Sequence, residues 1–235
     1  MSREKLRKFS ELSAFANVYE NRNAEQPGLT DCNGESIDLK GKWNPSHFKN
    51  SQPITLELAC GRGEYSLGLS RMFPHRNFIG LDIKGARLWQ GAQIALTEGL
   101  TNVAFLRTRI EQIELFFAQN EVDEIWITFP DPFLRESKTN RRLTSPPFLK
   151  RYTNFLKPNA VIHLKTDDDT LYQFTLDSIA ETGATLLYAD DDIYDKPLPM
   201  PELELKTYYE KMHLSKQKKI KYIKFELADQ KKENT

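Results

Sequence analysis

A doubly wound α/β fold on a parallel sheet is predicted by three features of this 235-residue chain. From Ile54 onward, apolar strands alternate with amphipathic helices; a glycine turn ends the first of these strands; an acid, Asp82, closes the second. In ITLELACGRG (54–63) a strand carrying Glu57 runs into Gly61 and Gly63, and such a turn lets backbone approach a ligand closely.

Residues 1–50 are polar and broken by NRNAEQPG, DCNG and KWNPS, with a short helix near Arg3–Ser13. They read as an arm with little core of its own, partly disordered or ordered on a partner. The main domain, 51–227, then runs strand 54–59, helix 64–73, strand 77–82, helix 84–98, strand 103–107, helix 110–118 and strand 123–128. In EYSLGLSRMF, Leu67, Leu69 and Met72 give the first helix its apolar side. After a loop at 130–144 come helix 145–156, strand 160–166, helix 169–182 and strand 184–189. A loop rich in Asp and Pro covers 190–202, followed by a helix near 204–214 and a closing strand, IKYIKFEL. The tail, 228–235, reads as frayed.

A 39% hydrophobic content can fill one sizeable core. No stretch approaches the roughly 18 apolar residues that span a bilayer, and MSREKLRKFSEL lacks an apolar signal region, so a cytoplasmic protein is expected. Two cysteines, Cys32 and Cys60, are too few for a disulfide framework and fit a reducing compartment; Cys60 reads as a small turn-side filler rather than a nucleophile. Formal net charge is zero, but the charges are sorted. Residues 135–151 hold six basic residues against Glu136 alone, and 206–224 hold seven lysines against Glu210 alone, while 167–204 is acidic. Each basic block is either a solvated face or part of a nucleic-acid grip.

In such sheets ligands sit beyond the carboxyl ends of the strands, where Glu57, Gly61, Gly63, Asp82 and Arg109 should gather. Asp82 suits ribose hydroxyls, a demand shared by NAD and S-adenosylmethionine, and it also suits a helix N-cap. A dinucleotide site wants a third glycine, where this chain has Ser66, and Glu64 sets negative charge near a pyrophosphate. The ammonium and sulfonium of S-adenosyl-L-methionine accept Glu57 and Glu64, which favours a methyl donor. The fourth strand empties into FPDPF (129–133). Phe129 and Phe133 there offer stacking faces, and Asp131 can accept from the ring N–H and amino groups of guanine; the alternative is a proline-stiffened turn.

Taken in order, ELACGRGEY, FIGLDIKGARL, FPDPF, KTNRRLTSPPFLKRY, HLKTD and TYYEK resemble the bacterial tRNA (guanine-N7-)-methyltransferases over about residues 54–227, with a weaker echo in FANVYE. The pairing of FPDP with RRLT is the most specific part. The resemblance implies a Rossmann-like class I methyltransferase fold, with a mostly parallel central sheet and helices on both faces. It also implies S-adenosyl-L-methionine as donor, and tRNA, at a variable-loop guanosine, as partner.

By matching positions it implies that Glu57 and Asp82 hold the donor, that Asp131 lies at the donor–guanine junction as the catalytic residue, and that Arg135, Asp167, Thr207 and Glu210 face the substrate. Each has a plainer reading. Arg135 could be a solvent-exposed arginine, Asp167 a cap on the helix beginning near Asp169, and Thr207 with Glu210 a capping box.

The chain also departs from the family pattern. Ala59 stands at the usual first turn glycine, and Arg109 replaces an acid that holds the adenine amine, leaving Arg109's backbone. Phe133 and Leu134 replace Trp-Pro, Arg135 replaces lysine, and Asp168 replaces asparagine. His163 reads as a core residue, and His47, His75 and His213 have no metal-ligand spacing, so no metal is expected. The competing readings are a class I methyltransferase on another substrate and a non-catalytic tRNA-binding relative. The chain leaves open monomer or homodimer.

Overall fold

The computed structural model describes residues 3–228. The first 50 residues hold α1 (Arg3–Leu12), β1 (Val18–Glu20), β2 (Leu29–Thr30) and β3 (Ser36–Ile37). The alternating part follows with β4 (Ile54–Leu58), α2 (Glu64–Met72), β5 (Asn77–Asp82), α3 (Gly85–Glu98), β6 (Val103–Arg107) and β7 (Val122–Thr128). It continues through α4 (Pro146–Tyr152), β8 (Leu156–Thr166), α5 (Asp169–Thr182), β9 (Thr185–Asp190), α6 (Tyr208–Ser215) and β10 (Lys221–Glu226).

The ten strands of the described residues make one sheet in the order β3-β2-β1-β6-β5-β4-β7-β8-β10-β9. From β1 through β6, β5, β4 and β7 to β8 the pairing is parallel; β10 is antiparallel to both β8 and β9. β4 pairs with β5 on one side and β7 on the other, so the chain reverses its march across the sheet there and leaves a crevice beyond the strand ends.

Both faces are covered, which is why the central strands are apolar nearly throughout. Ile54, Leu56 and Leu58 alternate into the layer shared with Phe148, Tyr152 and Leu171 of α4 and α5. On the opposite face Phe78, Phe105 and Trp126 meet Leu67, Leu69, Leu88 and Ala92 of α2 and α3. The mostly parallel sheet with helices on both faces is therefore as expected.

Three local expectations change. The segment read as a helix over 110–118 is a 3-10 turn, Ile110–Leu115, in which Ile113 is the buried residue; one anchor does not make the apolar stripe a helix needs. The strand expected at 160 begins at Leu156, because Lys157, Pro158 and Asn159 run along it exposed, with Asn159 at a φ of 59° and a register shift against β7. The helix near 204–214 is split into a 3-10 turn, Pro201–Glu204, and α6.

The arm, expected to have little core of its own, is built into the main core. Val18–Glu20 pairs in parallel with Phe105–Arg107, and Leu12 and Val18 are buried with Leu88 and Ala92. Trp43 is fully buried, stacked on Phe117 at 5.5 Å with its Nε1 donating to Phe116 O at 2.9 Å. Few apolar residues suffice because strand pairing delivers each of them onto an existing core. Of the tail expected to fray, residues 229–235 lie outside the described residues.

One packing point sets the crevice's shape: α3 passes so close to the β4–α2 turn that a Cβ at Gly91 would run into Arg62 O and the Phe105 ring. We expect Gly91→Ala to destabilise the fold by about 1–3 kcal/mol despite alanine's better helix propensity, read as a lower urea midpoint with unchanged slope. An unchanged midpoint would show that the contact yields freely.

Candidate active site

At the switch point lies a cleft of about 520 Å³. Ala59 lines it from the loop after β4, Asp82 from the end of β5, Thr108 and Arg109 from the loop after β6, and Phe129, Asp131 and Phe133 from the loop after β7. Four segments distant in sequence thus converge on one wall system, because the parallel strands all deliver their carboxyl ends to the same side.

The β4–α2 turn is tightly wound. Ala59, Gly61 and Gly63 have φ of 55°, 57° and 66°. Gly63 has no alternative, since a Cβ would also strike Phe105, whereas Gly61 opens on free space with nothing within 4 Å. Ala59 adopts a left-handed conformation, which favours glycine, at a cost of about 1–2 kcal/mol.

Two carboxylates hold that turn. Glu57 accepts the Ser66 N–H at 2.8 Å and the Ser66 hydroxyl at 2.6 Å on Oε2, and the Thr128 hydroxyl at 3.3 Å on Oε1. It is 3% exposed, and burial pushes its carboxyl up to about 7. Asp82 accepts Gly61 N–H at 2.9 Å and Lys84 N–H at 2.7 Å, one on each oxygen. It closes a local turn before α3, whose N-cap is Lys84 rather than the Asp82 expected, and it also lines the cleft. Arg109 is exposed with extended backbone (φ −76°, ψ 133°), beside the buried Thr108 hydroxyl, which accepts from Asn21 Nδ2 at 3.1 Å.

The FPDPF corner is also wound left-handed, with Phe129 at φ 49° and Phe133 at 42°. Phe129 N–H donates to Lys165 O at 2.8 Å, and its ring stacks on His213 at 5.8 Å, which takes one of the faces expected to be free. Asp131 is exposed; its Oδ1 accepts Phe133 N–H at 3.0 Å. Behind the corner Arg142, 4% exposed, donates from Nε to Pro132 O at 2.8 Å and from a terminal nitrogen to Phe133 O at 3.3 Å, its guanidinium 4.3 Å from the Phe174 ring centre. Its neighbour Arg141 is exposed and lines the cleft.

Beyond the corner, Thr207 and Glu210 form a reciprocal capping box at the start of α6. Glu210 has no exposure and lies 2.6 Å from the equally buried Lys165 Nζ, which also donates to Leu203 O and Leu205 O at 3.2 and 3.1 Å. Burial pulls the Lys165 ammonium below its ordinary range, opposed by the Glu210 charge. Asp167 pairs with Lys218 at 2.5 Å and stands 3.2 Å from His213 Nδ1.

Residues 51–223 match the Methyltransf_4 family, described as "Putative methyltransferase". A tRNA (guanine-N(7)-)-methyltransferase of Christiangramia forsetii is 48% identical over 227 residues, covering 96% of this chain and 99% of that protein. Its namesake from Bacteroides fragilis is 46% identical, covering 98% and 88%. The chain belongs to the tRNA (guanine-N(7)-)-methyltransferase family. Among solved structures, the 16S rRNA methyltransferase KamB superposes with a TM-score of 0.62 at 15% identity, covering 83% of this chain and 97% of its own. A SAM-dependent methyltransferase from Aquifex aeolicus gives 0.53 at 15% identity, covering 75% and 82%. At such identities these likenesses speak for the fold, that of class I methyltransferases.

In this methyltransferase, Asp82, Arg109 and Asp131 share the cleft, with Gly61 held against its rim by Asp82. Glu57 lies beneath the turn, off the cleft lining. Arg135, Asp167, Thr207 and Glu210 all lie outside the lining: Arg135 is exposed, Asp167 half-buried, and Thr207 and Glu210 are buried and committed to capping. The cap expected of Asp167 is made by Asp168, which accepts Leu171 N–H at 2.7 Å. His163 is the core residue expected, bonded to Tyr222 and Glu124 and stacked on Trp126 at 3.9 Å. Among the described residues no three His, Cys, Asp or Glu side chains gather to hold a metal, and no helix is long and apolar enough to cross a membrane. From the sequence, Arg142 counted with Arg141 among the cations of the 135–151 block and Lys165 had no role of its own; in the fold both are buried and held by protein carbonyls.

Glu57 makes a pH prediction. Its folded value, about 7, exceeds the ordinary 4.5, so the folded state holds a proton that the unfolded state releases. That contribution is complete below pH 4.5 and lost as pH rises through about 7. Relative to Glu57→Gln, the wild-type urea midpoint should fall across this window; parallel midpoints at all pH values would show that Glu57 titrates normally.

Proposed function

We propose that this chain transfers a methyl group from S-adenosyl-L-methionine to N7 of a guanosine in the variable loop of tRNA. The observation that carries the reading is that Asp82, at the end of β5, and Asp131, in the FPDPF corner, line one and the same cleft. Family membership supports the tRNA and guanine parts, and a tRNA substrate favours a cytoplasmic protein.

The residues fit the donor. A cleft of about 520 Å³ falls in the range of small-ligand sites. Asp82 lies on its wall with lone pairs left for ribose hydroxyls, and the Gly61 backbone beside it is uncovered, with nothing within 4 Å of where a Cβ would stand. Arg109 offers extended backbone for the base. Buried Glu57 orders the turn through the Ser66 N–H and hydroxyl. When bound, the donor supplies an electrophilic methyl group on a positively charged sulfur.

Guanine N7 carries a lone pair and no proton, so the chain's task is alignment rather than proton removal. Well-oriented reactants recover roughly 7–11 kcal/mol of barrier. Asp131 Oδ1 is tied to Phe133 N–H, while Oδ2 is engaged by no protein group among the described residues. That oxygen can accept from guanine N1–H and the exocyclic amine, fixing the ring while Phe133 and the outer face of Phe129 stack on it. The base must leave its stack to enter, and exposed Arg135, Arg141 and Lys211 can hold the phosphates on either side.

With unmodified tRNA and labelled donor, the product should be N7-methylguanosine in the variable loop; label at another position, or none, would overturn the reading. Asp131→Ala should lower the single-turnover rate by about 10²-fold while donor affinity holds within about twofold. An unchanged rate would remove Asp131 from the alignment.

Binding of tRNA should weaken with salt. If about four phosphates are neutralised, the log–log slope is about −3, and Arg141→Ala should flatten it by about 0.7. Salt-independent affinity would contradict a phosphate grip.

A further inference from the structure

We propose that Arg142 is a positioning residue for methyl transfer, acting through Asp131 rather than gripping RNA. This rests on the reading of the cleft given above.

Phe129 and Phe133 both have positive φ, and neither is glycine, so the corner they bracket is strained and does not hold its shape unaided. Asp131 is aimed by a short chain of contacts: its Oδ1 accepts the Phe133 N–H at 3.0 Å, and so follows wherever that peptide goes. The carbonyls on either side of that region, Pro132 O and Phe133 O, are the ones Arg142 holds, at 2.8 and 3.3 Å.

A guanidinium suits this because it is planar and presents several N–H donors in a fixed fork, where an ammonium is a point charge. It is fixed in turn by Phe174 of α5, 4.3 Å from its centre. α5 packs under the sheet, so the corner is referenced to the rigid core.

Burial separates Arg142 from its neighbours. At 4% exposure it has little surface to offer a phosphate, whereas Arg135 and Arg141 are exposed. The adjacent arginines of RRLT therefore divide the work. Arg141 faces the cleft, and Arg142 faces the protein and sets the geometry that Arg141's ligand meets.

The test is a double-mutant cycle of Arg142→Lys with Asp131→Ala, read by single-turnover methylation at saturating tRNA and donor. Far-UV circular dichroism and urea midpoints accompany it to show that each variant is folded. Arg142→Lys keeps the charge and loses the fork. The proposal expects its rate to fall by tenfold or more, with donor and tRNA affinities within about twofold and the salt slope unchanged. In the Asp131→Ala background the same substitution should cost almost nothing further, because the residue it positions is gone. Additive losses, or a weaker and flatter salt dependence at unchanged rate, would overturn it; the first makes Arg142 independent of Asp131 and the second makes it an RNA contact. Arg142→Gln, which retains one fork-like donor, should fall between wild type and lysine. If wild-type protein makes no N7-methylguanosine at all, it is the functional reading that fails, not the role of Arg142.

Discussion

Everything at the working end of this molecule depends on pairing the backbone N–H groups of the turn between β4 and α2. A helix start leaves its first amides without partners, and within the turn only Gly63 N–H is served by a turn carbonyl, Cys60 O at 2.8 Å, which leaves Gly61 and Ser66 N–H to other groups. Glu57 from β4 and Asp82 from β5 accept them, one from beneath the turn and one from its rim. Because these two strands are hydrogen-bonded neighbours, the turn is referenced to the sheet at two points, and the cleft inherits that rigidity. The positive end of α2 rests over Glu57, which is why an acid can stand there almost fully buried.

The opposite wall is built on a different principle. The FPDPF corner has no regular structure and is held by side chains: Arg142 from behind, and His213 against Phe129. Below it the buried Lys165–Glu210 pair anchors the start of α6, with backbone carbonyls of Leu203 and Leu205 completing the ammonium's shell. A buried pair of this kind adds little net stability compared with apolar packing, and breaking one partner is costly. Its value here is registry, since it fixes which turn of the irregular 190–207 segment sits over the end of β8. The cations of the chain thereby fall into two populations. Arg142, Lys165 and Lys218 are engaged by protein groups, while Arg135, Arg141 and Lys211 remain open to solvent, so counting basic residues along the chain overstates the surface available to an anion.

The chain's own letters determined the sheet, the two cleft acids Asp82 and Asp131, and the family, because each is a local signal: a period of two or of 3.6, or a short run of residues at fixed spacing. Alternation over β4 to β7 was legible since both faces of those strands are buried. The arm was not, because Val18, Leu12 and Trp43 are scattered among polar residues and become core only where strand pairing and α1 place them. Only the tertiary structure decided that Glu57 lies under the turn rather than on the cleft, that Thr207 and Glu210 are used up in capping and ion pairing, and that Arg142 rather than Arg141 faces inward. The physical reason is that a charged or polar side chain has no preferred partner until the fold sets its distance from water and from the groups that can satisfy it. Two adjacent arginines look alike in a sequence and differ only in what surrounds them.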